Sequence, residues 1–571
     1  MSERHLTELK KIYQRWCERA VEDKEVADEL AAMENDSQAQ RDVFGQELSF
    51  GTGGLRGILG AGTNRMNLYT VAHASQGLAN YIRKKQGSAK MAVCYDSRIK
   101  SRLFAETAAG VFAANGLEVF LYPELAPTPC LSFAVRYLGC AAGVMVTASH
   151  NPANYNGYKV YQADGGQITG ETAAAILKEI RAADLFDDVK RLSYADGCSA
   201  GRIHPVGDEV TAAFLKEVKA QSLAKDAELD KNISIVYSPL NGTGRKPVLQ
   251  VLRECGYSSV TVVKEQEEPD GRFPTCQSPN PEIRGAMECG ISYAERCRAD
   301  LLLATDPDCD RVGIAVPDET GAYVLLSGNE TGVLLLDYIC GQRIRQGRMP
   351  ADALCIKTIV TTELAKQVAA RYGVRCLDVL TGFKYIGEQI GRLEKAGRTD
   401  SFLFGLEESC GYLSGSYVRD KDGVGASLLI CEMCAWYRGQ KISLWERLQQ
   451  LYEEYGYCLN TQHSFIFEES AGFERMKALM AGLRNGETIF KQAPPVIACA
   501  DYEKGRDGLP ASDVLKYVLE GGSSVVIRPS GTEPKLKAYI SVCGADRAAA
   551  AETERRIAGD LETYMASKLK P

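Results

Sequence analysis

The sequence predicts an α/β protein: three similar α/β domains with mixed, mainly parallel sheets, and a smaller C-terminal α+β domain, around one central cleft. Three observations carry this expectation. From about residue 50, short apolar runs alternate with helix-length segments, the signature of βαβ units. The alternation restarts after about residue 205 and again at ALCIKTIV. The final hundred or so residues break it, with a helix, a turn-rich stretch and two strand-like runs around a loop. A chain of 571 residues also suits about four domains at roughly 150 residues each.

The first forty-odd residues show helical spacing and many charges, which predicts one or two surface helices. MAVCYD, LEVFLY and AAGVMVT then read as strands, FAETAAGVFAANG and ETAAAILKEIRAA as helices. ISIVYSP, SVTVVKE and ADLLLATD form a second round; ALCIKTIV, VRCLDVLT and SFLFGLEE form a third. FERMKALMAGLRN reads as a helix ahead of SSVVIRPSGTEPKLKAYISVCG. The expected domains are residues 1–205, 206–323, 324–455 and 456–571. No low-complexity linker separates them, so tight packing around a shared cleft is expected.

Charge and composition narrow the function. A mild, unclustered net charge of −7 argues against nucleic acid or an anionic membrane as the main partner. No stretch of 18 apolar residues occurs and MSERHLTELKKIYQRW lacks a signal peptide's apolar core, so a cytoplasmic protein is expected. Nineteen cysteines is an odd number, scattered through apolar runs such as LLICEMCAW, which reads as a reduced, mostly buried set. Cys431 and Cys434 form a lone CxxC in a helical run, a poor setting for zinc or redox chemistry.

Four strand-like runs end in polar clusters: AAGVMV in TASHNP, DLLLA in TDPDCDR, SFLF in GLEESCGY and SSVVI in RPSGTEPK. In open α/β sheets ligands bind beyond strand carboxyl ends, where helix N-termini and loop amides converge. Asp306, Asp308 and Asp310 alternate, and carboxylates so spaced can turn toward one point, a hard oxygen site suited to Mg²⁺. A turn whose aspartates cap a helix is the alternative. Arg311 and Pro317 stand where an EF-hand needs Gly and Glu, and Arg311 calls for an anion alongside the metal. Arg528, Ser530, Gly531, Thr532 and Lys535 can surround a phosphate, or simply decorate a hairpin turn. The adjacent carboxylates Glu407 and Glu408 can accept hydrogen bonds from neighbouring sugar hydroxyls, or Glu408 simply caps the next helix. GTGGLRG is not a dinucleotide motif and reads as a flexible loop presenting Arg56 to an anion.

Ser149 beside His150 invites a hydrolase reading. A Ser-His-Asp enzyme would need a GxSxG elbow and a distant His. No such elbow surrounds Ser149, the chain's five histidines leave few candidates for a distant partner, and on an extended chain His150 would point away from Ser149. An ST-turn before Asn-Pro is the plainer reading.

Taken in order over residues 147–535, TASHNP, DPDCDR, GLEES and RPSGTEP resemble the α-D-phosphohexomutase superfamily, in particular its phosphoglucomutase and phosphomannomutase branch. The resemblance implies a four-domain mutase that moves a phosphoryl group within hexose phosphates through a 1,6-bisphosphate. It implies Ser149 as phosphoryl carrier, and Asp306, Asp308 and Asp310 as Mg²⁺ ligands with a phosphoserine oxygen. Glu407 and Ser409 become sugar readers; Arg528, Ser530, Gly531, Thr532 and Lys535 become the grip on the substrate's own phosphate. Arg56, Lys159, Arg311 and Lys384 surround the transferring group, the lysines being acid/base candidates with lowered pKa values. His150 becomes a hydrogen-bonding neighbour of the phosphoryl or its loop, and Arg419, in SYVRDKDG, joins the substrate-binding set. Glucose 1,6-bisphosphate is implied as intermediate and activator, sugar phosphates as the only partners, and a monomer or homodimer as the assembly. DPDCDR replaces the commoner DGDGDR-like loop, and the SCGY-LSGSYVRDKDG stretch resembles a branch that includes bacterial phosphoglucomutases and animal phosphopentomutases or sugar-bisphosphate synthases. Phosphomannomutase activity, phosphopentomutase activity, bisphosphate synthesis and a non-catalytic sugar-phosphate sensor are the alternatives. A sensor would tolerate loss of Ser149, an aspartate or Arg528, and all are present.

Overall fold

The computed structural model describes residues 3–51, 53–224, 229–467, 472–506, 508–529 and 535–569. Three helices, Glu3–Arg19, Lys24–Ala32 and Ser37–Phe44, precede the first strand, where one or two were expected. Asp23 and Asp36 divide the run, each accepting hydrogen bonds from two backbone N–H groups of a new helix. Trp16 holds the segment on the body, its ring edge-on to Phe44, Tyr69 and Phe186 at centroid distances of 5.6, 5.6 and 5.5 Å.

The first sheet contains β1 (Gly54–Ile58), β2 (Lys90–Tyr95), β3 (Glu118–Leu121), β4 (Ala142–Val146), β5 (Tyr155–Gln162) and β6 (Ile203–Pro205) in the order β1-β5-β4-β2-β3-β6. The second contains β7 (Ile235–Ser238), β8 (Val260–Val262), β9 (Leu301–Thr305), β10 (Val312–Pro317) and β11 (Tyr323–Leu326), ordered β11-β10-β9-β7-β8. The third contains β12 (Leu354–Thr358), β13 (Arg375–Val379), β14 (Phe402–Glu407) and β15 (Gly411–Ser414), ordered β13-β12-β14-β15. Each has parallel strands with one or two antiparallel strands added at one edge. The fourth is wholly antiparallel: β16 (Tyr457–Ile466), β17 (Val496–Asp501), β18 (Leu515–Leu519), β19 (Ser524–Pro529) and β20 (Lys535–Gly544), ordered β16-β20-β19-β18-β17.

Three expectations change here. The polar clusters after β4, β9 and β14 lead not into helices but into antiparallel neighbours β5, β10 and β15. Their geometry therefore comes from tight returns, not helix N-termini. Arg56 lies on β1, paired opposite Gly157 of β5, so a strand and not a flexible loop presents it. The boundary at residue 323 cuts β11, because a turn held by Asp318, which accepts from Thr320 N and Ala322 N, returns YVLL onto β10.

β4 is buried along its whole length, as a strand covered on both faces must be. One apolar cluster runs through the first three sheets and their helices, from Phe133 and Phe214 to Tyr338 and Phe404. Ile359, Val360 and Leu380 pack on Tyr502, Val514, Val526 and Tyr539 to seat the fourth sheet, and Lys516 Nζ bonds Glu363 at 2.7 Å across that joint. All nineteen cysteines are free; Cys431 and Cys434 are buried on the helix Gly423–Gly439. Among the described residues no helix is long and apolar enough to cross a membrane.

Candidate active site

The loop between β4 and β5 is built around a buried ion pair. Arg98, just past β2, donates to the carbonyls of Ser149 (2.5 Å), Pro152 (2.9 Å) and Tyr155 (3.0 Å), and to that of Asn151. Its Nε lies 3.4 Å from Asp96 Oδ2, and Asp96 accepts from Thr147 Oγ1 (2.6 Å) and Ser101 Oγ (2.7 Å). β5 passes so close that a Cβ at Gly157 would lie 2.5 Å from Thr147 O. Within this frame Ser149 takes the left-handed conformation, φ 51°, uncommon for a non-glycine residue. Ser149 Oγ donates to Asp306 Oδ2 at 2.6 Å. His150 Nδ1 sits 3.4 Å from Ser149 Oγ, not on the opposite side, because alternation holds only for extended backbone. Burial and the charges of Arg311 and Arg56 push the His150 pKa well down, so the ring is neutral.

The loop between β9 and β10 brings Asp306, Asp308 and Asp310 together, all buried, with one carboxylate oxygen of each within 4.8 Å of the others. Asp308 Oδ2 accepts from Lys159 Nζ and from Thr128 Oγ1, both at 2.8 Å. Asp308 Oδ1 and Asp310 Oδ1 are buried without a hydrogen-bond partner among the described residues, free valences that a cation would satisfy. Burial, with the charges of Asp308 and Asp310, drives the Asp306 pKa well up, as expected when like charges crowd without a cation. The aspartates do not cap a helix.

Cations close around this cluster. Arg311 donates to Ser409 O at 3.0 Å and lies 3.6 Å from Asp310. Lys421 lies 3.1 Å from Asp310 and 3.1 Å from Asp420. Burial pulls the Lys159 ammonium down, but Asp308 and Asp310 carry it above its usual value, contrary to the lowered lysine expected there. Lys384 does fall, to about 8, through burial and the charge of Arg528. Ser149, Lys159, Arg56, Arg311, Lys384 and Glu407 line one cleft of about 240 Å³, with Asp310, Gln167, Asp420 and Lys421. Five of its lining residues are cationic and three anionic, a local excess against the chain's net −7.

Glu407 ends β14 and is buried, 3.9 Å from Lys421. Glu408 is not a helix cap: it accepts from Thr358 Oγ1 (3.0 Å) and Thr361 Oγ1 (3.3 Å). Ser409 is half-buried beside it. Arg528 lies on β19 and Lys535 opens β20; Ser530, Gly531 and Thr532 lie outside the described residues. Arg419 is the residue the structure removes from the site. Its fully buried side chain turns inward, pairing with Glu394 at 2.7 Å and bonding Ser416 O and Val418 O.

Sequence reasoning missed Asp96, Arg98, Thr128, Gln167, Asp420 and Lys421. The signal for the first pair was available, since MAVCY also ends in a polar cluster, DSR. Asp420 and Lys421 lay one and two steps beyond the residue chosen in VRDKDG. Thr128 gives no local signal, because its role is to meet Asp308 from another domain.

Comparisons with known proteins agree with this geometry. Residues 47–186, 212–321 and 327–455 match phosphoglucomutase/phosphomannomutase alpha/beta/alpha domains I, II and III, and residues 477–559 match the C-terminal domain of that family. A phosphoglucomutase of Staphylococcus haemolyticus is 34% identical over 530 residues, 90% of this chain and 94% of the relative. The open form of Paramecium parafusin, a phosphoglucomutase, superposes with a TM-score of 0.67 at 17% identity, covering 92% of this chain and 96% of the other. An N-acetylphosphoglucosamine mutase of Aspergillus fumigatus, solved with GlcNAc-6P and magnesium, has a TM-score of 0.51 at 15% identity, covering 91% and 96%. The fold and these matches define a mutase, an isomerase that relocates a phosphoryl group within its substrate. The chain belongs to the phosphoglucomutase/phosphomannomutase family.

Proposed function

We propose that this chain interconverts glucose 1-phosphate and glucose 6-phosphate, with phosphoserine 149 as carrier and glucose 1,6-bisphosphate as intermediate and activator. The observation that carries the reading is Ser149 Oγ, 2.6 Å from Asp306 at the edge of the buried carboxylate cluster and facing the cationic cleft. The partnerless oxygens of Asp308 and Asp310 suit Mg²⁺, which Asp306, Asp308 and Asp310 would hold together with a phosphoserine oxygen. Bound there, the ion neutralises charge spread over the transferring phosphoryl group.

The chain's own residues do the rest. Arg56, Lys159 and Arg311 surround the phosphoryl with positive charge that needs no reorganisation during transfer. The phosphorus–Oγ bond of phosphoserine 149 breaks as a phosphorus–oxygen bond to the free sugar hydroxyl forms. Lys384 takes the hydroxyl's proton, and the Lys159 ammonium, kept charged by Asp308 and Asp310, gives one to the departing Ser149 Oγ. Glu407 and Ser409 read the sugar's hydroxyls, while Arg528, Lys535 and residues 530–532 hold the phosphate that stays. The bisphosphate turns over in the cleft, and its other phosphoryl group returns to Ser149.

Coupled assays with glucose 1-phosphate, mannose 1-phosphate and ribose 1-phosphate test the reading. The highest kcat/KM is expected for glucose 1-phosphate; an equal or higher value for ribose 1-phosphate overturns the sugar assignment. Phosphate should be found on the Ser149 peptide by mass spectrometry, and turnover without it overturns the carrier role.

A further inference from the structure

A second cavity, of about 960 Å³, shares no lining residue with the cleft. It lies between the helices Thr128–Tyr137 and Asp208–Lys219, the end of the helix Gly328–Arg345, and the segments 399–402 and 415–417. Nothing in the mutase reaction uses it. Its volume falls in the range of small-molecule sites, so a whole metabolite fits, and its walls are charged in a particular way.

Arg136, Lys216, Arg343 and Arg348 line it against Glu217 and Asp400, an excess of cations in a chain whose net charge is −7. Arg136 is already engaged, by Glu394 at 2.8 Å and by Asp164 O at 2.9 Å. Arg343 differs: its Nε is buried and has no hydrogen-bond partner among the described residues. Burial and the neighbouring charge of Arg348 lower its pKa, and Asp400 does not make up the loss. A guanidinium left so is costly, and its positive charge at the cavity wall favours an anion there. Arg348 and Lys216 stand exposed nearby to add charge. Tyr137, half exposed and stacked on Phe133 at 5.6 Å, supplies an apolar wall for a carbon skeleton.

We propose that this cavity is a second binding site, for a phosphorylated small metabolite whose phosphate group pairs with Arg343, Arg348 and Lys216. Two connections lead from it to the cleft. The helix Thr128–Tyr137 ends in the cavity with Arg136 and Tyr137, while Thr128 at its start donates to Asp308 from Oγ1 (2.8 Å) and from N (2.9 Å). Ser416 and Tyr417 line the cavity, and Asp420 and Lys421, a few residues on, line the cleft.

Calorimetric titration with pyrophosphate tests the proposal, using the native chain, the cleft variant Arg528→Ala and the cavity variants Arg343→Gln, Arg348→Ala and Lys216→Ala. Arg528→Ala is expected to retain a binding event that Arg343→Gln and Arg348→Ala weaken tenfold or more. With pyrophosphate bound, the Arg528→Ala chain should also show slowed hydrogen exchange in peptides covering 341–350. Lys216 and Arg348 are exposed, so their variants carry the test if Arg343→Gln does not fold. Binding lost in Arg528→Ala but untouched by the cavity variants overturns the proposal. So does citrate binding as tightly as pyrophosphate, which would mark a general polyanion patch.

Discussion

Replacing Arg98 with Met should separate the frame of the catalytic loop from its chemistry. Arg98 is 3% exposed, its guanidinium binds four loop carbonyls and it pairs with a buried Asp96. Removing one partner of a buried pair costs about 3–5 kcal/mol, and burial already pushes the Asp96 pKa up, so the stranded carboxylate will protonate and recover part of that. The loop also stores strain: the left-handed Ser149 costs about 1–2 kcal/mol for a non-glycine residue, and only the frame maintains it. Released, Ser149 relaxes toward extended backbone and its Oγ leaves Asp306. A displacement of about 1 Å in a reacting group costs on the order of 10²-fold in rate. Urea unfolding of Arg98→Met should therefore show a loss of about 3 kcal/mol. Rapid-quench transfer from phosphoserine to glucose 1-phosphate should slow by about 10²-fold with KM little changed, because sugar and distal phosphate are held elsewhere. Arg98→Lys keeps the charge but not the fork, and should recover stability more than rate. A variant that loses the stability yet transfers at the native rate would refute the idea that this frame positions Ser149.

Other expectations follow from the same geometry. Ser149→Ala should bind glucose 1-phosphate with unchanged affinity and show no mutase turnover; retained turnover removes Ser149 from the mechanism. Asp308→Asn should lower the Mg²⁺-dependent rate by orders of magnitude, and a chelator should abolish the native rate; a variant with native metal dependence contradicts the ligand role. Lys384, with a pKa near 8, is a base only as the neutral amine, so kcat/KM should rise with pH and level off above about 8. Lys384→Arg should lose that limb, and an unchanged profile assigns the proton to another group. Arg419→Met should cost about 1–3 kcal/mol of stability with KM unchanged; a tenfold rise in KM would return Arg419 to the substrate site.

The parts legible in the sequence are those in which one short segment carries both the structural and the chemical signal. Apolar runs ending in TASHNP, DPDCDR and GLEES announce strands that deliver polar groups to one edge, and alternation of three aspartates announces a metal loop. What stayed hidden depends on backbone direction inside tight returns. Ser149, Cys309 and Cys410, one in each of the three hairpins, have φ of 51°, 50° and 55°. A single left-handed residue reverses the alternation by which side-chain direction is inferred, which is why His150 lies beside Ser149 instead of opposite it. The same blindness explains VRDKDG: Arg419 carries the charge that a phosphate reader would look for, but its side chain is drawn inward by Glu394, and the next two residues face the cleft. Arg98 and Thr128 are hidden for a different reason. Each acts on a loop far along the chain, Arg98 on the carbonyls of 149–155 and Thr128 on Asp308, so only the packing of strands and domains makes either residue functional.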